Sequence, residues 1–203
     1  ERNVYFHDIL ARNAFGNYRT LLGEVTYSPR MARSLTYFRN EKGDPATGRM
    51  PDENYAREVM QLFTIGLVEL NMDGTPKLGG DGQPIETYDD EDVLGLARVF
   101  TGLSTKGSGF RNPDDGSDYA PLQMFDAFHS PLEKTFLGMT IPAGTSGEQS
   151  VERALAHLIA HPNVAPFISR QLIQRFTASS PEPAYVERVA TAFETGQFTS
   201  TDG

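Results

Sequence analysis

The segment Pro51-Asp52-Glu53-Asn54-Tyr55-Ala56-Arg57-Glu58-Val59-Met60-Gln61-Leu62-Phe63-Thr64-Ile65-Gly66 constrains this chain more than any other, because a helix both starts and stops inside it. Asp52 suits the amino-terminal cap, and Glu53 adds negative charge to the first turn, where unpaired amide dipoles favour it. Gly66 suits the far end. Wound at about 100° per residue, Tyr55, Val59, Leu62 and Phe63 share an apolar face, and Asn54, Glu58 and Gln61 form a polar stripe along its border. Glu58 therefore belongs at the edge of a core. Arg57 follows Glu53 by one turn, the favourable order for an ion pair worth about 0.2–0.5 kcal/mol.

Around this segment the remaining pattern is mostly helical. Two short helices are expected within residues 3–27 and a third opened by Pro29, which gives way at Asn40 to a polar loop of residues 41–48. Asp89-Asp90-Glu91-Asp92 reads as an acidic helix start that continues to Phe100. Three more helices are expected at Val151 to Ala160, Val164 to Phe176 and Ala184 to Phe193. Between them, residues 67–88 carry Asp73-Gly74, Gly79-Gly80-Asp81-Gly82 and Pro84, the punctuation of a small β-hairpin arm. Residues 104–147 show no sustained period and read as a long irregular loop. No internal repeat is evident. The expected fold is mainly α, about seven helices in an irregular bundle with a hairpin arm and a long loop, within one domain over 1–203.

Composition narrows the function. A net charge of −9 over 203 residues argues against a nucleic-acid footprint, which needs clustered Lys and Arg. No apolar run is long enough to span a bilayer. The chain has no Cys, which excludes disulfides, thiolate catalysis and Cys-based zinc without fixing a compartment. Neither a cofactor nor a metal site is expected.

The candidate chemistry centres on carboxylates. Glu53 and Glu58 lie about 140° apart around one helix, so they cannot act as a pair. A two-carboxylate hydrolase would need Glu58 as acid or base facing Asp92 or Asp126, or His129 as the second group, at roughly 5–9.5 Å. The alternative is that Glu58 and Arg57 belong to an ion network with Arg98 and Asp92 that holds helices in register. His129 reads as general base, ligand or hydrogen-bonded staple, and Lys134 as an anchor for a carboxylate or helix end. Glu53, Asn54, Arg57, Arg98 and Lys134 are the candidate binding residues. Ser104, Ser108, Ser130 and Ser169 lie outside any Gly-x-Ser-x-Gly elbow. His157 and His161 have zinc-ligand spacing, but the intervening Glu and a third ligand are missing. Asp73, Asp81, Asp89 and Asp90 fit no calcium-loop spacing. Tyr119, Phe125 and Phe128 are loop aromatics that either stack on a sugar or partner, or fold back as plugs; the plug is favoured.

Several of these motifs carry a resemblance. Glu53-Asn54-Tyr55-Ala56-Arg57-Glu58, Leu62-Phe63-Thr64-Ile65-Gly66, Tyr88 with Asp92-Val93 and Ala97-Arg98, Thr101-Gly102, His129 with Lys134 and Phe136-Leu137-Gly138, His161-Pro162-Asn163 and Phe167-Ile168-Ser169-Arg170-Gln171-Leu172-Ile173 resemble a bacterial family of unknown function, number 1800. The resemblance covers most of the chain and implies a mostly helical, exported protein, periplasmic or secreted. Members are generally longer, so this chain is expected to be a carboxy-terminal part of such a protein, lacking the amino-terminal helices and signal peptide. Many members are encoded beside a second, sulfatase-like family, which implies a protein partner. Asp52, Leu103 and Ser130 depart from the family's frequent Asn, Trp and Asp. The family carries no settled activity to transfer. Two functions are thus expected as alternatives. One is a noncatalytic binding or scaffold module with a protein partner or a second copy of itself. The other is a glycosidase-like hydrolase of a glycan or similar polar substrate led by Glu58, with a pocket joining the motif helix to the 104–147 loop.

Overall fold

The computed structural model describes residues 4–107, 109–111 and 117–198. Among them are eight α-helices: α1 (Val4–Arg12), α2 (Tyr18–Thr26), α3 (Pro29–Ser34), α4 (Asn54–Gln61), α5 (Asp90–Ala97), α6 (Gly147–Ile159), α7 (Val164–Phe176) and α8 (Pro183–Thr195). Four short strands form two antiparallel pairs, β1 (Leu103–Ser104) with β2 (Gln123–Met124) and β3 (Lys134–Phe136) with β4 (Met139–Ile141). The protein is mainly α with a small hairpin. Ser108 and residues 112–116 of the expected long loop lie outside the described residues.

The helix ends show where local signals met tertiary ones. α4 stops at Gln61 rather than at Gly66, and the N–H groups of Ile65 and Gly66 both return to the Met60 carbonyl. Once the 3.6-residue period ends, Leu62 no longer shares the buried face: it is 48% exposed, and Met60 is buried instead. α3 ends at Ser34 because Thr36 and Arg39 take left-handed backbone at φ 62° and 58°. α5 starts as its acidic run dictates, with Asp89 and Asp92 forming a reciprocal capping box.

Contacts sort the chain into two compact units, Glu1–Glu58 with Asp89–His157 and Val59–Tyr88 with Leu158–Gly203. The first unit is centred on Tyr37, Tyr55 and Phe100. The two tyrosine rings stack at 4.0 Å between centroids, and Phe100 meets Tyr55 edge-on at 4.6 Å. Both phenols find partners on Thr26: Tyr55 Oη lies 2.7 Å from its hydroxyl, and Tyr37 Oη donates to its carbonyl at 2.8 Å. The buried rings thus gain apolar area without orphaned hydroxyls. Phe128 stacks on Phe110 at 4.1 Å and Phe125 meets it edge-on, so both loop aromatics fold back as plugs, whereas Tyr119 is 51% exposed.

In the second unit, α7 packs on α8, and Ile168 and Ile173 on the first and Val186 and Ala190 on the second are buried. The arm expected as a hairpin is a closed ring of three short segments, each bridged to both others: Val68 to Glu86, Leu70 to Pro76 and Leu78 to Pro84. This ring reveals the repeat that the sequence reading missed. Asp73-Gly74-Thr75-Pro76 and Asp81-Gly82-Gln83-Pro84 make the same turn eight residues apart. In each, the Asp carboxylate accepts the N–H two residues on, at 2.9 and 3.0 Å, and the Gly is left-handed at φ 77° and 78°. The backbone bonds Lys77 to Glu69, Ile85 to Lys77 and Glu69 to Ile85 close the circle, which leaves no strand edge unpaired at that level.

Within the first unit α5 lies directly against β3. A Cβ on Gly95 would collide with the backbone carbonyl of Thr135, which cannot move aside as a side chain can. Gly95→Ala is expected to cost about 3 kcal/mol in a urea titration, at the upper end for overpacking. Gly80→Ala, with no atom within 4 Å, should stay within about 0.5 kcal/mol of wild type.

Candidate functional site

The entrance to α4 is fixed as its sequence suggests. Asp52 accepts the Asn54 N–H at 2.9 Å and the Thr36 hydroxyl at 2.8 Å, while its own N–H donates to the Asn40 side chain at 2.9 Å. Asn40, almost fully buried, returns its amide to the Asp52 carbonyl. Arg57 reaches Glu53 and Asp90 at 3.5 Å each with 40% of its side chain exposed, contacts worth a few tenths of a kcal/mol. The expected ties from Arg57 and Glu58 to Asp92 and Arg98 are not made among the described residues. Glu58 is half-buried at the core's edge, and its Oε2 is buried without a hydrogen-bond partner there.

The remaining candidates converge on residues 126–137, and each is held by the backbone. Asp92 uses one oxygen in the capping box with Asp89 and the other to accept the Leu137 N–H at 2.6 Å. It thereby splints the β3–β4 turn, where Leu137 holds φ 47°, onto α5. Asp126 is exposed and accepts the N–H of Gly147, the first residue of α6, at 2.8 Å. Arg98 donates to the Glu133 carbonyl at 3.0 Å. Lys134 is fully buried; its ammonium donates to the Ser130 and Leu132 carbonyls at 2.9 and 3.1 Å, with no carboxylate within 4.0 Å among the described residues. Burial, helped by the nearby Arg98 charge, pushes its pKa down to about 8. Lys134 anchors main-chain carbonyls rather than the carboxylate or helix end read from the sequence.

His129 is buried in the same network. Nδ1 lies 2.9 Å from the Thr101 carbonyl, which only accepts, so Nδ1 carries the proton and Nε2 accepts from the Ser150 hydroxyl at 3.3 Å. Desolvation holds its pKa below the ordinary value. The Thr101 hydroxyl donates to the Arg98 carbonyl and accepts the Ser130 N–H, closing the network. Thr101, Ser150 and Asn40 were not singled out from sequence as site residues; Thr101 did stand within a motif of the resemblance. Both imidazole nitrogens of His129 are thus engaged within the protein.

Asp92 and Arg98 do border an open groove of about 320 Å³ with Glu91, Gly95 and Thr135, but Glu58 does not line it. The paired histidines are separately engaged. His157 bonds the Leu137 carbonyl at 2.9 Å, whereas His161 lies beyond the end of α6 and accepts the Asn163 N–H. Of the candidate serines, Ser104 donates to the Phe110 carbonyl, and the Ser169 hydroxyl is buried without a partner among the described residues. In the second unit, Asn163 ties down the arm, donating to the Ile65 and Val68 carbonyls and accepting the Leu70 N–H at 2.6 Å.

His129 gives stability a pH dependence. Below about pH 6.5 the unfolded chain takes up a proton that the folded chain resists, so stability falls as pH drops through that window. The urea midpoint of the wild type should decline from pH 7.5 to 5.5, and His129→Asn should show a shallower decline despite lower stability throughout.

No curated protein and no solved structure shows significant similarity to the chain. A family model described as "Protein of unknown function (DUF1800)" matches residues 2–200, nearly the whole length. The chain therefore belongs to the DUF1800 family.

Proposed function

We propose that this protein is a noncatalytic binding or scaffold module. The observation that carries the reading is the engagement of three of the four acid–base candidates in holding the fold: Asp92 accepts a backbone N–H on each oxygen, His129 has both nitrogens bonded, and Asp126 accepts the Gly147 N–H through one oxygen. A general acid or base must exchange a proton with a substrate within hydrogen-bond reach. His129 would have to give up the Ser150 hydroxyl to take up a proton at Nε2, and protonating Asp92 would weaken the two backbone bonds it accepts. Lys134 is likewise shut away with its ammonium on carbonyls. The resemblance supports an exported setting, periplasmic or secreted, in which such a module would meet a protein partner.

One observation favours a second reading. Glu58 keeps a buried oxygen without a partner, the state of a carboxylate reserved for a substrate, as a hydrolase of a glycan or similar polar compound would need. A panel of chromogenic glycosides and esters, run on wild type and Glu58→Gln, separates the two. The module reading expects no turnover above background and a variant within about 1 kcal/mol of wild type. Turnover that disappears in a Glu58→Gln protein of unchanged melting temperature would establish the hydrolase.

A further inference from the structure

Between the end of α2 and the first turns of α6, within the first unit, lies an open groove of about 580 Å³ lined by Tyr27, Glu148, Gln149, Glu152 and Arg153. That volume falls within the ~300–1,000 Å³ of small-molecule sites. Most of α6 explains itself as an amphipathic helix: Val151, Ala154, Leu155 and Leu158 are buried, and Glu148, Gln149, Glu152 and Arg153 form its wet face. A solvated face does not explain the half-buried aromatic ring set against it.

Tyr27 is fixed from both sides. Its N–H donates to the Gly23 carbonyl at 3.2 Å as it closes α2, and its carbonyl accepts the Leu122 N–H at 2.7 Å. Its phenol, by contrast, has no hydrogen-bond partner among the described residues. Burial, together with the nearby Glu148 and Glu152 carboxylates, pushes the Tyr27 pKa up to about 12. The hydroxyl therefore stays protonated and can both donate and accept.

Charge in the groove is balanced. Arg19 neutralises Glu152, reaching its carboxylate at 2.6 Å and its backbone carbonyl at 3.3 Å. A Cβ on Gly23 would come within 3.2 Å of Arg19 Nη1, so glycine there leaves the guanidinium its room. Glu148 and Arg153 are opposite in sign, and neither has an ion-pair partner among the described residues. The lining thus favours neither an anion nor a cation. It offers acceptors only at Glu148, donors only at Arg153, and both at Gln149 and the phenol. A neutral ligand satisfies such a mixture when its own groups both donate and accept at close intervals. The vicinal hydroxyls of a sugar do so, and the C–H face of a hexose ring supplies the apolar surface that covers a tyrosine ring.

We propose that this groove binds a neutral oligosaccharide, with one hexose ring against Tyr27 and its hydroxyls shared among Glu148, Gln149 and Arg153. The proposal rests on the binding-module reading and names the class of its ligand. The probes are cellohexaose, maltohexaose and chitohexaose, titrated calorimetrically into the wild type at low and at roughly 0.5 M salt, where charge interactions are strongly screened. At least one should bind with an affinity that salt leaves unchanged, and Glu148→Ala/Gln149→Ala should weaken it about tenfold. Both of those side chains are exposed, so the double variant should keep its melting temperature. Tyr27→Phe keeps the ring and should weaken binding about threefold through the hydroxyl alone. The proposal is overturned if none of the three sugars binds, or if the double variant binds as tightly as wild type. Tighter binding of hexagalacturonate at low salt would overturn it in favour of an anion site, and equal binding of a neutral Ser-Gly-Asn repeat peptide in favour of a polypeptide. Turnover in the chromogenic panel that Glu58→Gln abolishes would instead overturn the module reading and leave binding in the groove unchanged, so the two failures are read independently.

Discussion

Much of this structure follows from one demand: backbone N–H and C=O groups in its buried non-helical segments must be paired. An unpaired buried group costs about 1–3 kcal/mol, and helices and strands pair only their own. Here the long connections pass through the interior of their unit, so side chains supply the partners. In the first unit Asn40, Asp92, Thr101 and His129 each bond the main chain of a distant segment, and Lys134 bonds the carbonyls of the turn just before it. In the second, Asn163 does the same for three residues of the arm and its approach.

That demand explains why a functional reading from residue type was ambiguous. A buried His, an Asp at a helix start and a Lys in a loop have the composition of an acid–base site. The same groups serve as backbone substitutes wherever regular structure is scarce. The decisive difference is spare hydrogen-bonding capacity. His129 has both nitrogens engaged and Asp92 accepts on both oxygens, whereas the buried Oε2 of Glu58 has no partner among the described residues. The hydrolase alternative falls on this less committed group.

Strain is distributed in the same sense. Of the three left-handed non-glycine residues, Leu137 is explained by Asp92, which takes its N–H and locks the β3–β4 turn. Thr36 and Arg39 flank Tyr37, whose ring lies in the aromatic stack of the first unit. The two reversals let the chain bury Tyr37 while Arg39 remains outside. The core contact thus helps to offset the backbone cost of the two reversals.

The sequence by itself determined the helices, because caps and a 3.6-residue period act within a few residues of their effect. The capping of α4 by Asp52 and the acidic start of α5 were legible for that reason. Tertiary structure decided the rest. The end of α4 at Gln61 exposed Leu62, and the ring closure of residues 67–88 gave meaning to an eight-residue repeat that shares only Asp-Gly-x-Pro. The partners of His129 lie 28 and 21 residues away, and Asp92 meets Leu137 across 45. Pairings at such separations leave no periodic trace in a single chain, since they depend on how loops close in space. Residue types could nominate His129, Asp92 and Glu58, but only the folded chain shows which of them is already spoken for.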